Sequence, residues 1–350
     1  MNRAFLLDEL PAQWRLPDGA AYRRAQICQW VFAERAQSFE EMSNLPIEWR
    51  RHLTSLYELH VLDCERVQGT VNATRKYLWK LKQGDFIESV LIPASPALYG
   101  EKSDRRTLCV STQVGCAHGC KFCASGLQGL QRNLSPAEMV AQIIETERQS
   151  GGKINNLVFM GMGEPLANFK NLMIALEIIN APLGLNIGAR HITISTCGLA
   201  PQITQLAEQP RQVRLAVSLH AGSDAVRNQI MPINKKYPMK TLMDACLDYV
   251  SKKSQKITLE YILIEGVNDM LSEAALLAEH AHKLRAKVNL IPYNPVKDLP
   301  WKRPSEKTVR AFADALQKRR IAVTMRREKG NEIEAACGQL RLTAFETGKK

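Results

Sequence analysis

Apolar positions recur along this chain with two spacings, and each change of spacing marks a change of architecture. In YRRAQICQWVFAERA, residues 22–36, Ile27, Trp30 and Val31 fall at helical spacing, and IEWRRHLTSLYE, residues 47–58, repeats the pattern after the turn-like FEEMSNLP. A small helical module is therefore expected over 1–60. From Thr74 to Pro93 the spacing drops to two, and TRKYLWKLKQGDFIESVLIP reads as paired strands turning at Gln83, Gly84 and Asp85. The polar stretch ASPALYGEKSDRR, residues 94–106, separates this short hairpin linker, 61–104, from the remainder of the chain.

From Thr107 onward short apolar runs alternate with amphipathic helical segments. The runs are LCVSTQV (108–114), NLVFMGM (156–162), HITIST (191–196), RLAVSLH (214–220), ITLEYILI (257–264) and VNLIPYN (288–294). Six such units predict an α/β fold with right-handed crossovers around a parallel sheet, a partial (βα)6 barrel over 105–300 rather than a closed eight-stranded one. In such folds the chemistry gathers at the C-terminal strand ends. A last helix, SEKTVRAFADALQKRR (305–320), and the segment IAVTMRREKGNEIEAACGQL (321–340) form a C-terminal region, 301–350, expected to close over that same end.

Composition adds a partner and a compartment. With 350 residues and 45% apolar content the chain can bury a large core and is no candidate for disorder. Its apolar runs are far shorter than the roughly 20 residues of a membrane span, and MNRAFLLDELPAQW carries acidic residues where an export signal would be apolar. The expectation is a cytoplasmic, monomeric protein with no membrane partner. A net charge of +12 and a pI near 9.3 point to a polyanion, because Lys and Arg gain affinity for phosphates by releasing counterions. Residues 301–350 hold 13 Lys and Arg against 6 Asp and Glu, with Lys318, Arg319, Arg320, Arg326, Arg327 and Lys329 bunched together. A solvated helix face is the plainer explanation of the same run.

Nine cysteines in a chain without an export signal suggest metal or redox chemistry rather than a disulfide framework. Cys116, Cys120 and Cys123 lie within eight residues, directly after the first core strand. Taken alone, this loop suits a structural zinc site with His118 as a further ligand, although closed zinc sites usually pair two cysteine knuckles and the chain has no second one. It equally suits a [4Fe–4S] cluster in which three thiolates leave one iron open for a ligand that is not protein.

The Cx3Cx2C loop, with Phe122 before its third cysteine, resembles the radical S-adenosylmethionine superfamily. The text around it closely resembles the RlmN/Cfr class of rRNA adenine methyltransferases. The stretches that carry the resemblance are ESVLIP (88–93), TLCVSTQVGCAHGCKFCASG (107–126), RNLSPAE (132–138), VFMGMGEPLAN (158–168), HITISTCGL (191–199), LAVSLHA (215–221), LIPYNP (290–295) and GNEIEAACGQL (330–340). The N-terminal helices also resemble the helix-hairpin-helix-like extension with which that class contacts RNA.

The resemblance implies a radical S-adenosylmethionine barrel and a [4Fe–4S] cluster on Cys116, Cys120 and Cys123, with two S-adenosylmethionine molecules used per turnover. It implies that Gly163, Glu164, Ser195, Ser218, Leu219, His220 and Asn294 hold the cofactor. Ring carbons C2 and C8 of adenine are electrophilic, so direct attack on a methyl sulfonium is unavailable and a carrier is needed. By resemblance Cys337 carries the methyl group, Glu88 removes the ring proton, a task that suits a carboxylate poised near operating pH, and Cys109 releases product through a transient disulfide with Cys337. Without the resemblance, Cys109 and Cys337 would read as small core residues, as Cys28, Cys64, Cys197 and Cys246 do. The implied activity is methylation of C2 of an adenosine in 23S rRNA and of an adenosine in tRNA, with an electron donor of unknown identity. The alternatives are the C8-directed antibiotic-resistance activity, which the same residues would support, and a non-catalytic RNA-binding factor with a structural metal knuckle.

Overall fold

The computed structural model describes residues 3–17, 21–94, 103–127, 129–253, 255–296, 299–325 and 338–340. Helices α1 (Ala21–Phe32) and α2 (Ile47–Leu56) form the N-terminal module. Ile27 and Val31 of α1 are buried, whereas Trp30 turns partly outward and its Nε1 donates to Asn44 Oδ1 at 2.7 Å.

Strands β1 (Leu62–Gln68), β2 (Arg75–Leu81) and β3 (Phe86–Pro93) run antiparallel. The turn between β2 and β3 falls where the alternation breaks, the Leu81 N–H donating to the Asp85 carbonyl at 2.8 Å. Strand β1 was not expected, since LDCERVQ buries only Leu62 fully and carries no clear alternation. The hairpin does not stand alone: β3 pairs antiparallel with β4 (Arg106–Cys109), with Val90 opposite Cys109.

The run LCVSTQV is not one strand. It leaves the sheet after Cys109 and resumes as β5 (Gln113–Gly115), which pairs with β6 (Leu130–Asn133) in a separate two-stranded sheet. Ser111 is what draws it away. Its N–H donates to Gln142 Oε1 at 2.8 Å and its carbonyl accepts from Gln142 Nε2 at 3.0 Å, while Thr112 N–H reaches the Met162 carbonyl at 2.9 Å. Helix α3 (Ala124–Leu127) lies between β5 and β6.

The remaining chain alternates: α4 (Pro136–Ser150), β7 (Asn156–Phe159), α5 (Phe169–Asn180), β8 (Ile192–Thr196), α6 (Ala200–Ala207), β9 (Arg214–Ser218), α7 (Asp224–Ile230), α8 (Met239–Lys253), β10 (Thr258–Leu263), α9 (Leu271–Leu284), β11 (Lys287–Pro292), α10 (Glu306–Lys318) and β12 (Val323–Met325). Local sequence explains the start of α4: Ser135 Oγ accepts the Glu138 N–H, the Glu138 carboxylate accepts the Ser135 N–H, and Pro136 occupies the first turn, where its missing N–H costs nothing. Gly151 in the left-handed region ends the helix. The N-terminal module docks on this same helix, through Asp8 Oδ1 accepting from the Ala137 N–H at 3.0 Å and an Arg35–Glu147 ion pair.

One ten-stranded sheet results, in the order β12-β11-β10-β9-β8-β7-β4-β3-β2-β1. Its strands from β4 and β7 to β12 are parallel and make the expected partial barrel, with β12 added to the six foreseen. Three residues are too few to read as a strand from pattern, and β12 exists because it pairs with β11.

The two faces of the sheet differ. Trp79 Nε1 donates to Ser89 Oγ at 3.0 Å and Ser89 Oγ donates to Gln142 Oε1 on α4 at 2.7 Å, so Ser89 faces the helical layer. Its alternating neighbour Glu88 therefore lies on the inner face. Cys109, opposite Val90, shares that face, and the register carries it on through Val158 and Thr193 to Ser195, Ser218 and Glu260. No helix among the described residues is long and apolar enough to cross a membrane.

Candidate active site

At the C-terminal ends of the parallel strands lies a cleft of about 850 Å³, open water included. The cysteine loop forms one wall. It leaves β5 at Gly115, whose φ of 75° only glycine adopts easily, and a Cβ there would sit 1.9 Å from the Gly129 carbonyl oxygen. The loop is pinned by Cys116 N–H to that carbonyl (2.8 Å), Lys121 N–H to Ile230 O (2.9 Å) and Trp301 Nε1 to Lys121 O (3.0 Å). Cys116, Cys120 and Cys123 all line the cleft. Burial, reinforced by the neighbouring Cys123, pushes the Cys116 thiol up to about 12 and the Cys120 thiol well above its usual value.

The opposite wall comes from the loop after β7. Gly163 has φ 95°, and a Cβ there would meet the Gln113 Cβ at 2.5 Å. Gln113 reaches across to accept the Glu164 N–H at 2.8 Å, so the two loops are locked together. The Glu164 carboxylate accepts the Leu166 N–H at 3.0 Å and the Cys197 N–H at 2.7 Å, which fixes its direction. Those two bonds use half of its roughly four lone-pair sites.

Ser195 and Ser218 line the floor from the ends of β8 and β9. His220 comes next, with φ 59° in the left-handed region that a non-glycine residue enters at a cost. Three bonds hold it there: its N–H to Glu260 O (3.3 Å), Asn268 Nδ2 to its carbonyl (2.8 Å), and Ile262 N–H to its Nδ1 (3.1 Å). Burial, with the Arg227 charge behind it, lowers its pKa to about 3. The ring is thus neutral, and with Nδ1 accepting, its proton sits on Nε2. Phe122 of the cysteine loop packs edge-on against it, ring centroids 4.8 Å apart.

Leu219 does not line the cleft; it is fully buried and contributes its backbone, N–H to Glu260 O at 3.1 Å and carbonyl to Arg227. Asn294 also lies outside the lining, yet its Oδ1 is buried with no hydrogen-bond partner among the described residues. A buried orphan oxygen is costly unless a ligand serves it. Three thiols converging on one cleft, facing Glu164, Ser195 and Ser218, fit an iron–sulfur cluster with a polar cofactor beside it.

Glu88 and Cys109 are on the inner face but are not part of the cleft lining. Glu88 is 3% exposed and pairs at 3.1 Å with the equally buried Lys76; its backbone carbonyl accepts from Ser111 Oγ at 2.6 Å, and that hydroxyl accepts the Met162 N–H at 2.9 Å. Cys337 lies outside the described residues. Its neighbour Gly338 does line the cleft, the carbonyl accepting the Ala124 N–H at 2.8 Å, while Gln339 Nε2 donates to Pro295 O and Leu340 O accepts from Ser125 Oγ. No disulfide joins two of the described cysteines.

Glu260 is a cleft residue that sequence reasoning passed over. It is buried, and Asn289 Nδ2 donates to its Oε2 at 2.6 Å. Its signal was present: a carboxylate in the middle of the apolar run ITLEYILI. Cys197, read as a core residue, is buried but also lines the cleft, its thiol pushed up by burial and by Glu164.

Residues 110–278 match the Radical SAM superfamily, and residues 17–59 match the Ribosomal RNA large subunit methyltransferase N-terminal domain. A probable dual-specificity RNA methyltransferase RlmN from Akkermansia muciniphila is 54% identical over 92% of this chain and 89% of its own length. Another from Opitutus terrae is 47% identical over 96% and 92%. The crystal structure of a radical SAM methyltransferase from Sphaerobacter thermophilus superposes with a TM-score of 0.89, at 42% identity, over 97% of this chain and 99% of that one. Identity at this level over nearly the whole length, on a barrel whose cysteine loop and glycine-rich loop face each other, leaves one assignment: the chain belongs to the RlmN family of radical S-adenosylmethionine RNA methyltransferases.

Proposed function

We propose that this protein methylates C2 of one adenosine in 23S rRNA and of one in tRNA, using two molecules of S-adenosylmethionine per turnover. The observation that carries the reading is the convergence, in one cleft, of Cys116, Cys120 and Cys123 with Gly163, Glu164, Ser195, Ser218 and His220, with Gly338 at its rim. The dual-specificity names of the relatives support both RNA substrates.

In this reading Cys116, Cys120 and Cys123 would hold a [4Fe–4S] cluster and leave it open to S-adenosylmethionine. When bound, the cluster and cofactor supply a 5′-deoxyadenosyl radical on receipt of one electron. The chain's own residues do the rest. Glu164 and the backbone at Gly163 receive the cofactor's amino group, Ser195 and Ser218 its hydroxyls or carboxylate, and Asn294 Oδ1 one of its donors. The neutral His220 orients a polar group without adding charge.

Cys337 carries the methyl group to the ring. Glu88 takes the ring proton after addition. Once the adduct has passed its odd electron back to the one-electron carrier, Cys109, on the same face of the sheet as Glu88, attacks the Cys337 sulfur: the S–S bond forms as the S–CH2 bond breaks, the bonding pair stays on the carbon, which takes up a proton to become the methyl group, and an external reductant returns the disulfide to thiols. Nucleoside mass spectrometry of rRNA and tRNA from cells with and without the protein tests the reading. The expected result is 2-methyladenosine in both RNAs, lost on deletion. Finding 8-methyladenosine alone, or no change, would refute it.

A further inference from the structure

Arg227, on α7 directly behind the cleft, is fully buried. Its Nε donates to Leu219 O at 3.0 Å, Nη1 to Asn234 Oδ1 at 2.8 Å, and Nη2 to Cys197 O at 2.7 Å and Ser218 O at 3.3 Å. All four acceptors are neutral. Asp224 of the same helix reaches Arg227 only indirectly, its Oδ1 accepting from Asn234 Nδ2 at 2.7 Å and from the Met239 N–H at 2.9 Å, so that Asn234 bridges carboxylate and guanidinium. A buried guanidinium that makes no direct ion pair is expensive, and an anion placed near it lowers that cost.

The opposite charge has a place to arrive. Arg227 ties the ends of β8 and β9 at Cys197 and Ser218, both cleft residues. The cysteine loop docks on the end of its helix through Lys121 N–H and Ile230 O.

We propose that Arg227 is the built-in counter-charge of the metal cluster, offsetting its thiolates and easing entry of the electron that starts the reaction. The inference rests on Cys116, Cys120 and Cys123 holding a cluster. A guanidinium that merely tied strand ends together would act through hydrogen bonds; a counter-charge acts through its charge. Lysine keeps the charge and loses the fork, and glutamine does the reverse in part.

The test is an anaerobic redox titration of the full-length, iron- and sulfide-reconstituted protein with dithionite, the reduced cluster being read by electron paramagnetic resonance. Arg227→Gln should lower the reduced-to-oxidised ratio at fixed potential about tenfold, a shift of about 59 mV to lower potential for one electron, while Arg227→Lys stays within about twofold of the parent. Equal shifts in the two variants, or none in either, would overturn the proposal. Should the glutamine variant fail to retain iron, retention by the lysine variant alone supports it, and loss from both overturns it. A parent protein that takes up no iron would defeat the cluster reading itself, and this inference with it.

Discussion

His220 shows how much the site asks of a single residue. It combines a left-handed backbone, a buried neutral ring and a ring nitrogen spent on a backbone N–H. Because its folded pKa, about 3, lies below the usual 6.5, the unfolded chain binds the proton more tightly. The stability it confers is therefore complete above pH 6.5 and is lost as pH falls from there toward 3. Asparagine tolerates the left-handed region and offers an acceptor to the Ile262 N–H. Denaturation midpoints of the His220→Asn variant should consequently fall less steeply between about pH 6.5 and 4 than those of the parent; parallel curves would mean that the ring is not held neutral. The motif marked His220 in the sequence, but its tautomer was invisible there, because it is set by a residue on another strand. Glu260 was legible in principle, as a charge in an apolar run, and was passed over because alternation alone does not say which face of a strand meets a cavity.

Among the elements, the glycine-rich loop is the least replaceable. At Gly163 an added methyl group would both occupy a left-handed conformation and collide with the side chain that bridges to the cysteine loop. The backbone term alone is roughly 1–2 kcal/mol, so Gly163→Ala should weaken S-adenosylmethionine binding by about tenfold, equivalent to about 1.4 kcal/mol. Calorimetric binding, with circular dichroism as the check on folding, measures this, and unchanged affinity would show that the two loops are not locked as described. Elements with strong period were legible: α1, the β2–β3 turn, and the alternation from β4 to β11 all track the apolar pattern. The break in LCVSTQV was not, since every residue in it suits a strand and only the distant Gln142 and Met162 pull it apart. Strands β1 and β12 were missed for the same kind of reason, being defined by their neighbours more than by their own residues.

Across the whole molecule, the wall of the cleft that carries the cysteines is fastened by segments far apart in the chain: α7, Trp301 and residues 338–340. Their common attachment is to the loop that would hold the metal, so chelation of iron should loosen that end selectively. Hydrogen exchange is expected to rise over residues 115–127 and 338–340 on iron removal while β1 to β3 stay protected; uniform change, or none, would contradict it. The sequence pointed to the C-terminal return through its last motif, and Gly338 at the cleft agrees, while Cys337 itself and the basic residues Arg326, Arg327 and Lys329 lie outside the described residues. One consequence concerns motion. Glu88 is woven into a continuous fabric of ten strands, stitched to Lys76 on one side and to Ser111 on the other. A group so rooted cannot travel to a nucleotide; for Glu88 to act as proposed, the nucleotide would have to leave its stack and come to it, which would make RNA that is already bent or unpaired the cheaper guest.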